Sequence, residues 1–354
     1  MIPENAEELL DVVDFARGRR VISESADAPP ADRQPVVAFK FGGSSLLGAD
    51  RMLHAAGLVR PVSRQMQVVV VVSAMKGITD RLLGMAQTLC EGKTSRSSAE
   101  AEAVVRAYCD VLQDLQLDSD RQDRITRDLN ALGRDLLHEV FACRQRIASS
   151  ANAEFFDRLA SYGERFSARV FAATLEHSGV AAVPVSSSEF VLTCDTFRHA
   201  TPHLRETRQR GRDVLLPLLA DGLVPVVTGF IGATPDGRIT TLGRNSSDFS
   251  GALIAHVVDA DELVIWTDVD GIYTANPKES SQAQLLHDLS YEAAHALAVS
   301  GAKVLHPRVL PLAEETEMTV WIRNTFKPHA RGTRIGRTLG VTPQCNYAAG
   351  EELA

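Results

Sequence analysis

VVAFKFGG at residues 36–43 and QVVVVVSAMKG at residues 67–77 are the two stretches that decide the fold. Each is a short apolar run that ends directly in glycine or other small residues. The five consecutive valines indicate a strand buried on both faces, which is typical of a parallel sheet covered by helices. Residues 47–62, LGADRMLHAAGLVRPV, have helical character between them. This order predicts an α/β architecture, in which ligands bind beyond the carboxyl ends of the strands.

The same alternation returns in the second half of the chain. Strands are predicted for VAAVPVSS (180–187), VPVVTGFIGA (224–233), ELVIWTDVDGIYT (262–274) and MTVWIRN (318–324). Helices are predicted between them at residues 247–258 and 291–302. Residues from about 80 to 175 are instead rich in Ala, Leu, Glu, Arg and Gln and show no strand signal. That composition predicts a helical insertion in the α/β framework.

The composition narrows the class of protein. The chain has 354 residues, a formal charge of −8 and 45% hydrophobic residues, which indicate a globular protein with a large core. The negative charge disfavours binding to nucleic acid or to anionic membranes, because proteins of those classes are more often basic. No apolar run is long enough to span a bilayer, and the acidic N-terminus does not resemble a signal peptide. The five cysteines are scattered without metal-binding spacing, so we expect reduced thiols and a cytoplasmic location.

Residues 1–35 precede the first predicted strand. Within them, residues 7–17 carry apolar side chains at helical spacing, and residues 25–35, SADAPPADRQP, have the composition of a linker. Two interpretations of this segment stay open. It is either a mobile arm or a helix that docks on a partner subunit.

The first motif that suggests chemistry follows the first strand. Lys40 stands just before Gly42, Gly43, Ser44 and Ser45. Glycines allow backbone amides to approach a phosphate closely, and a lysine supplies a compact positive charge. Taken alone, Gly-Gly after a strand is more often just a turn. The sequence has neither G-x-x-x-x-G-K-[ST] nor a G-x-G-x-x-G after a strand, which disfavours the common P-loop and dinucleotide-binding sites.

Three later segments place polar residues at similar points. In TTLGRNSSD (240–248), the Arg244 guanidinium can match a carboxylate with two hydrogen bonds, while the serines and Asp248 would also suit a helix cap. WTDVDGIY (266–273) suits a nucleotide base and ribose, or a structural turn. SGAKVLHP (300–307) places a lysine between two helical stretches.

Together and in order, six separated segments resemble the amino-acid kinase family and, within it, the aspartate kinases. They are KFGGSS (40–45), SAMKGIT (73–79), SYGER (161–165), TTLGRNSSD (240–248), WTDVDGIYTANP (266–277) and SGAKVLHP (300–307). The resemblance extends over about residues 36–337. WTDVDG, GAKVLHPR and the ending IRNTFKPHARGTRIG look most similar to the kinase portion of bifunctional aspartokinase–homoserine dehydrogenases.

The resemblance implies a fold and a reaction. The fold is a three-layer α/β/α sandwich around a mostly parallel sheet, with a catalytic domain at 36–337, its ATP-binding part at about 225–337, and a tail at 338–354. The reaction is phosphoryl transfer from ATP to the β-carboxylate of L-aspartate, giving 4-phospho-L-aspartate. Mg²⁺ is expected to be held through the ATP phosphates and not by protein ligands. A homodimer is also expected.

The resemblance implies roles for individual residues, carried over by motif position. Lys40 and Asp248 are expected to be catalytic. The expected substrate-binding residues are Ser73, Thr79, Glu164 (for the amine) and Arg244 (for the α-carboxylate). The residues expected to bind ATP and its phosphates are Lys40, Gly42, Gly43, Ser44, Ser45, Thr267, Asp268, Tyr273, Lys278 and Lys303. Electrostatics agree with this set, because a carboxylate needs no general base but two anions brought together need local cations.

Two features depart from the family pattern. Ser246 stands where the GR-x-G-SD segment commonly has glycine, and it adds a side chain beside the expected substrate carboxylate. After Gly336 only residues 337–354 remain, too few for an ACT regulatory domain, so we expect no ACT-type feedback inhibition. Three hypotheses stay open: an aspartate kinase, a kinase for a different amino acid or carboxylate, and a non-catalytic nucleotide-binding subunit.

Overall fold

The computed structural model describes residues 34–146, 153–244, 246–299 and 305–337. The helix predicted at residues 7–17, the lysine at position 303 and the predicted tail at 338–354 lie outside the described residues.

One eight-stranded sheet forms the centre of the molecule, and two short antiparallel pairs of strands lie beside it. The strands are β1 Val36–Phe41, β2 Gln67–Val72, β3 Ala182–Val185, β4 Val224–Thr228, β5 Ile231–Ala233, β6 Ile239–Thr241, β7 Glu262–Thr267, β8 Ile272–Tyr273, β9 Leu285–Leu286, β10 Asp288–Leu289, β11 Thr319–Asn324 and β12 Thr333–Ile335. The order across the large sheet is β10-β12-β11-β7-β1-β2-β4-β3. Neighbouring strands in it run parallel except β11 and β12.

Helices cover both faces of this sheet. Over the described residues they are α1 Ala49–Ser63, α2 Ile78–Cys90, α3 Thr94–Asp114, α4 Ser119–Arg146, α5 Ala153–His177, α6 Leu204–Ala220, α7 Ser247–Val257, α8 Tyr291–Val299 and α9 Val309–Glu315. Helices α2 to α5 follow one another without an intervening strand in the described residues. The predicted fold class, an α/β sandwich with a mostly parallel sheet and a helical insertion, is therefore confirmed. None of the described helices is both long and apolar enough to cross a bilayer.

Strand β1 shows how the sequence builds two cores. Its side chains alternate between the faces of the sheet, so Phe39 and Phe41 join the cluster made with α1 to α5, while Val36 and Ala38 join the cluster made with α6 to α9. Each fully buried phenylalanine or valine side chain stabilises the fold by about 1.5–3 kcal/mol. Lys40 belongs to the second face and lies near the carboxyl end of the strand.

The stretch VPVVTGFIGA, predicted as one strand, forms β4 and β5 separately. Phe230 lies between them with φ of 65°, a left-handed conformation that interrupts an extended strand. Strand β5 then pairs antiparallel with β6 instead of extending the large sheet. Strand β4 therefore ends at Thr228, beside the end of β2 at Val72.

Because β1, β2, β4, β7 and β11 are parallel, their carboxyl ends meet at one edge of the sheet. The turns that leave this edge begin at Gly42, Ser73, Gly229, Asp268 and Thr325. Such an edge is where ligands bind in open α/β sheets. Three of the six motif segments, KFGGSS, SAMKGIT and WTDVDGIYTANP, therefore leave the sheet at this edge.

Candidate active site

Lys40 forms a nearly buried ion pair at this edge. Its Nζ lies 2.6 Å from Oδ1 of Asp248, which belongs to the first turn of α7, and the lysine as a whole is 5% exposed. Helix α7 packs closely here, since a Cβ added to Gly251 would lie 3.0 Å from Cβ of Lys40. The glycine in the second turn of α7 thus lets the helix cover the lysine stem while Asp248 holds its amine.

The turn after β1 is packed against the turn after β2. A Cβ added to Gly43 would lie 2.6 Å from the carbonyl oxygen of Ala74 and 3.0 Å from the amide nitrogen of Lys76, so only glycine fits there. The Gly42 amide donates to the carbonyl of Trp266 at 3.2 Å, and the buried Ser45 hydroxyl is 2.7 Å from that of Thr325.

Two of the groups predicted to face phosphate, the Gly42 amide and the Ser45 hydroxyl, thus hold the turn after β1 to β7 and to the end of β11. The carbonyl of Ser44 accepts a hydrogen bond from Arg51 at 2.7 Å. Lys40 carries the charged side chain within residues 40–45.

Glu164 is buried beside the turn after β2. It lies on α5 and is 3% exposed, and its Oε1 accepts a hydrogen bond from the Ala74 amide at 3.1 Å. Burial raises the pKa of Glu164 to about 8. Its Oε2 and the Ser73 hydroxyl are both buried and have no hydrogen-bond partner among the described residues. Since buried polar atoms normally find partners, these two mark a place where a polar ligand fits.

Arg244 and Ser246 lie on either side of residue 245, which is outside the described residues. The Arg244 guanidinium is 3.3 Å from Asp80 on α2, and 67% of the Arg244 side chain and 74% of the Asp80 side chain are exposed. Ser246 immediately precedes α7 and is fully buried, and its hydroxyl has no partner among the described residues. Thr79 lies in the first turn of α2, next to Asp80, and is half-buried.

The residues at positions 267–278 that are predicted to bind the nucleotide are more exposed to solvent than Lys40 and Glu164. Thr267 ends β7, and its carbonyl accepts a hydrogen bond from the Thr325 amide at 2.8 Å. Asp268 and Lys278 are exposed, and Tyr273 is half-buried in β8. The structure therefore brings Thr267 close to the turn after β1, through Thr325, but shows no comparable link for Lys278.

Two buried polar residues outside the predicted set hold this site together. Tyr108 on α3 places its hydroxyl between the Met75 amide and the Gly163 carbonyl. Asp157 on α5 accepts hydrogen bonds from the Arg198 amide and from the amide and hydroxyl of Thr241, at 2.7 to 2.8 Å. Asp157 lies seven residues before Glu164, so both carboxylates share one face of α5. The seven-residue spacing is the one signal in the sequence that could have indicated Asp157. No sequence signal indicates Tyr108.

Comparisons with known proteins agree with this geometry. The amino acid kinase family matches residues 35–324. Lysine-sensitive aspartokinase 3 of Escherichia coli is 32% identical over 300 residues, which are 85% of this chain and 64% of that protein. A chloroplastic bifunctional aspartokinase/homoserine dehydrogenase 1 of Arabidopsis thaliana is 31% identical over 332 residues, 93% of this chain and 35% of that protein. The chain thus spans about two thirds of the first relative and one third of the second.

Solved structures show the same similarity. The structure of E. coli aspartokinase III in complex with aspartate and ADP superposes with a TM-score of 0.77 at 31% identity, covering 86% of this chain and 65% of that one. The same enzyme in complex with lysine and aspartate gives a TM-score of 0.76 at 30% identity, with the same shares covered. With a family match over most of its length and the fold and motifs in agreement, this chain belongs to the amino acid kinase family.

Proposed function

We propose that this chain catalyses phosphoryl transfer from ATP to the β-carboxylate of L-aspartate. The observation that carries the proposal is the contact between the turn after β1 and the turn after β2. It brings the segment of a buried lysine, Lys40, next to the segment that holds a buried carboxyl, Glu164, with an unpartnered oxygen. The E. coli relative whose structure was solved with aspartate and ADP supports the same pair of ligands.

The proposed reaction needs charge compensation more than acid–base chemistry. A β-carboxylate oxygen of aspartate attacks the γ-phosphorus, a new O–P bond forms, and the bond to the β–γ bridging oxygen breaks as ADP leaves with that electron pair. Lys40 neutralises the transferring phosphoryl group, and Asp248 keeps the lysine amine in place. A positioned cation in a site shielded from water stabilises the transition state far more than one in bulk solvent. Mg²⁺ supplied with ATP would add further positive charge at the transferring phosphoryl group.

Aspartate carries an amine and an α-carboxylate, and the site offers a partner for each. The ammonium group pairs with Oε2 of Glu164 and reaches the Ser73 hydroxyl. These two buried oxygens have no hydrogen-bond partner among the described residues. The α-carboxylate pairs with Arg244, and Thr79 lines the same side at the start of α2. Arg244 exchanges its surface partner Asp80 for the substrate when aspartate binds.

The nucleotide lies along the ends of β7 and β8 in this proposal. Thr267, Asp268 and Tyr273 face the ribose and base, and Lys278 faces the phosphates, with Gly42, Gly43, Ser44 and Ser45 shaping the phosphate-facing turn. The phosphate-binding role that the motif implies for Lys303 stays a prediction. A homodimer and a cytoplasmic location stay predictions.

The test is a panel of acids incubated with MgATP and hydroxylamine, which converts an acyl phosphate to a coloured hydroxamate. We expect product from L-aspartate. With Arg244→Ala the aspartate KM rises about tenfold or more, because a charge-assisted bidentate contact is lost. An unchanged aspartate KM in Arg244→Ala contradicts the assignment of that residue.

One observation favours a second candidate, a kinase for a different amino acid or carboxylate. Ser246 is buried at the start of α7, and its hydroxyl has no partner among the described residues. By the resemblance stated above, the GR-x-G-SD segment commonly has glycine at this position. Product from another acid in the same panel, converted to aspartate preference by Ser246→Gly, would establish this candidate. Tight ATP binding without product from any acid would establish a non-catalytic nucleotide-binding subunit.

A further inference from the structure

The turn after β2 is held by three successive backbone amides, each bound to a different element. The Ala74 amide donates to Glu164 of α5 at 3.1 Å, the Met75 amide donates to the Tyr108 hydroxyl of α3 at 3.2 Å, and the Lys76 amide donates to the Gly43 carbonyl at 3.1 Å. The outer two amides bind residues that belong to the proposed site. The middle one binds a residue of the helical insertion that no motif includes.

The Tyr108 hydroxyl uses its whole hydrogen-bonding capacity at this point. It donates its single proton to the carbonyl of Gly163 at 2.8 Å, and it accepts from the Met75 amide. The Ser167 hydroxyl, 3.0 Å away, must then be a donor to the second lone pair of Tyr108. The residue is completely buried, and its ring stacks on Phe166 with centroids 5.1 Å apart. Desolvation also raises the pKa of Tyr108, so the hydroxyl keeps its proton throughout the physiological range.

This hydroxyl therefore connects the turn to α5 directly beside Glu164. Gly163 precedes Glu164, and a Cβ added to Gly163 would lie 2.6 Å from Cβ of Ala74. Helix α5 and the turn thus touch without room for a side chain. Three hydrogen bonds set the relative position of Ala74 and Glu164. One joins the Ala74 amide to Glu164, and the Tyr108 hydroxyl makes the other two, with the Met75 amide and the Gly163 carbonyl.

We propose that Tyr108 is a positioning residue for the amino-acid site, which it builds by fixing the turn after β2 against Gly163 and Glu164. The inference rests on the proposed function, since Glu164 is taken there to bind the substrate amine. It gives the helical insertion a role in substrate affinity, although α3 has no residue in the proposed set of ligands.

The test is the variant Tyr108→Phe, which keeps the buried ring and removes only the hydroxyl. Without it the Met75 amide, the Gly163 carbonyl and the Ser167 hydroxyl each lose a buried partner, and the turn moves relative to Glu164. We expect the aspartate KM to rise about tenfold while the ATP KM changes by less than about twofold, because loss of one buried hydrogen-bond partner has that order of effect. Hydrogen exchange of the peptide covering residues 73–77 becomes at least about tenfold faster in the absence of substrate.

Tyr291→Phe is the matched control. The Tyr291 hydroxyl is buried and donates to the carbonyl of Met318 at 3.0 Å, just before β11 begins and hence at the opposite edge of the sheet. Tyr291→Phe removes the same buried group, but among the described residues one hydrogen bond is lost instead of three, so a smaller loss of thermal stability is expected. The aspartate KM and the exchange at residues 73–77 should stay unchanged.

Equal changes in aspartate KM for the two variants would overturn the proposal, because they would indicate general loosening of the fold. An unchanged exchange rate at residues 73–77 in Tyr108→Phe would overturn it as well. If the wild-type chain phosphorylates no acid, the proposed function fails on its own, while the exchange experiment still decides whether Tyr108 fixes the turn.

Discussion

The amino-acid side and the nucleotide side of the proposed site are built in different ways. On the amino-acid side, Lys40 and Glu164 are almost fully buried, and the turn between β2 and α2 is held by three consecutive amides. On the nucleotide side, Asp268 and Lys278 are exposed to solvent, the first directly after β7 and the second between β8 and β9. The amino-acid side therefore combines nearly buried charged groups with the exposed Arg244, whereas the named residues of the nucleotide side are exposed.

This difference in burial indicates where specificity and catalysis are concentrated. Buried charges interact more strongly than exposed ones, because solvent and salt screen them less. The buried atoms of Glu164, Ser73 and Ser246 that have no partner in the part of the chain that the structure describes also lie on the amino-acid side. These atoms lose their water when the chain folds, before any ligand binds. A small polar substrate therefore forms hydrogen bonds with them without a further desolvation penalty on the protein side. Variants on the buried side should therefore have much larger effects than variants of exposed ion pairs.

The largest effect is expected for Lys40→Ala. Loss of the amine removes the proposed counter-charge for the phosphoryl group and leaves Asp248 without its partner, so kcat should fall about 100-fold or more, with a smaller change in aspartate KM. Steady-state kinetics with the hydroxamate assay measure both constants. Lys93→Ala is the control, because Lys93 also pairs with a carboxylate, Glu91 at 2.7 Å, but in an exposed loop beyond α2.

A Lys40→Ala enzyme with kcat within about threefold of wild type would show that the buried pair serves stability and not phosphoryl transfer. The contrast between the two sides would then lose its functional meaning, although the structural contrast would stand.

An intermediate effect is expected from the ionisation of Glu164. Burial raises its pKa to about 8, so near pH 7 the ligand-free site holds mostly the protonated acid, which does not attract an ammonium group. As the pH rises, the carboxylate form becomes populated and the aspartate KM falls, by about eightfold between about pH 7 and about pH 8.5 if ionisation alone decides affinity. Initial-rate measurements across this range at constant ionic strength test the sign and the size of the change.

Two variants separate Glu164 from other sources of pH dependence. Glu164→Gln should raise the aspartate KM and remove most of this pH dependence, since the amide does not titrate. Glu176→Gln, on the same helix but in a surface pair with Arg124, should keep the wild-type profile. A wild-type aspartate KM that stays flat with pH would mean that Glu164 is ionised throughout and that the pocket is wetter than its burial indicates.

The sequence was sufficient for the fold class because the signals for it are local. The valines of β2 and the glycines after β1 identify buried strands and the turns that follow them, and the structure confirms the parallel sheet they predict. The split of residues 224–233 into two strands was missed, because the left-handed conformation of Phe230 has no marker in a stretch of otherwise strand-forming residues.

The candidate site was predicted only as far as contiguous motifs extend. Glu164 and Lys40 lie in such motifs, and their burial beside adjoining turns is what the structure adds. Tyr108 was not predicted, because its function depends on the packing of α3 against segments 33 and 55 residues away. Nothing in the pattern of an amphipathic helix distinguishes a core tyrosine from one whose hydroxyl is bonded to the turn after β2.

The smallest effect is expected on the exposed pair of Asp80 and Arg244. The two side chains are 3.3 Å apart and mostly exposed, so their interaction is worth at most about 1 kcal/mol. If Arg244 must leave Asp80 to bind the substrate α-carboxylate, Asp80→Asn should lower the aspartate KM by about two- to threefold at low salt. The gain should shrink as salt is added, because screening already weakens the competing pair.

Asp236→Asn is the control for this last change, since Asp236 pairs with Arg238 at 2.8 Å on an exposed turn and should leave the aspartate KM unaltered. A higher aspartate KM in Asp80→Asn would reverse the interpretation: Asp80 would then orient Arg244 for the substrate instead of competing with it. In that case Asp80 also belongs to the amino-acid side. This side then extends from the buried edge of the sheet to the exposed pair of Asp80 and Arg244.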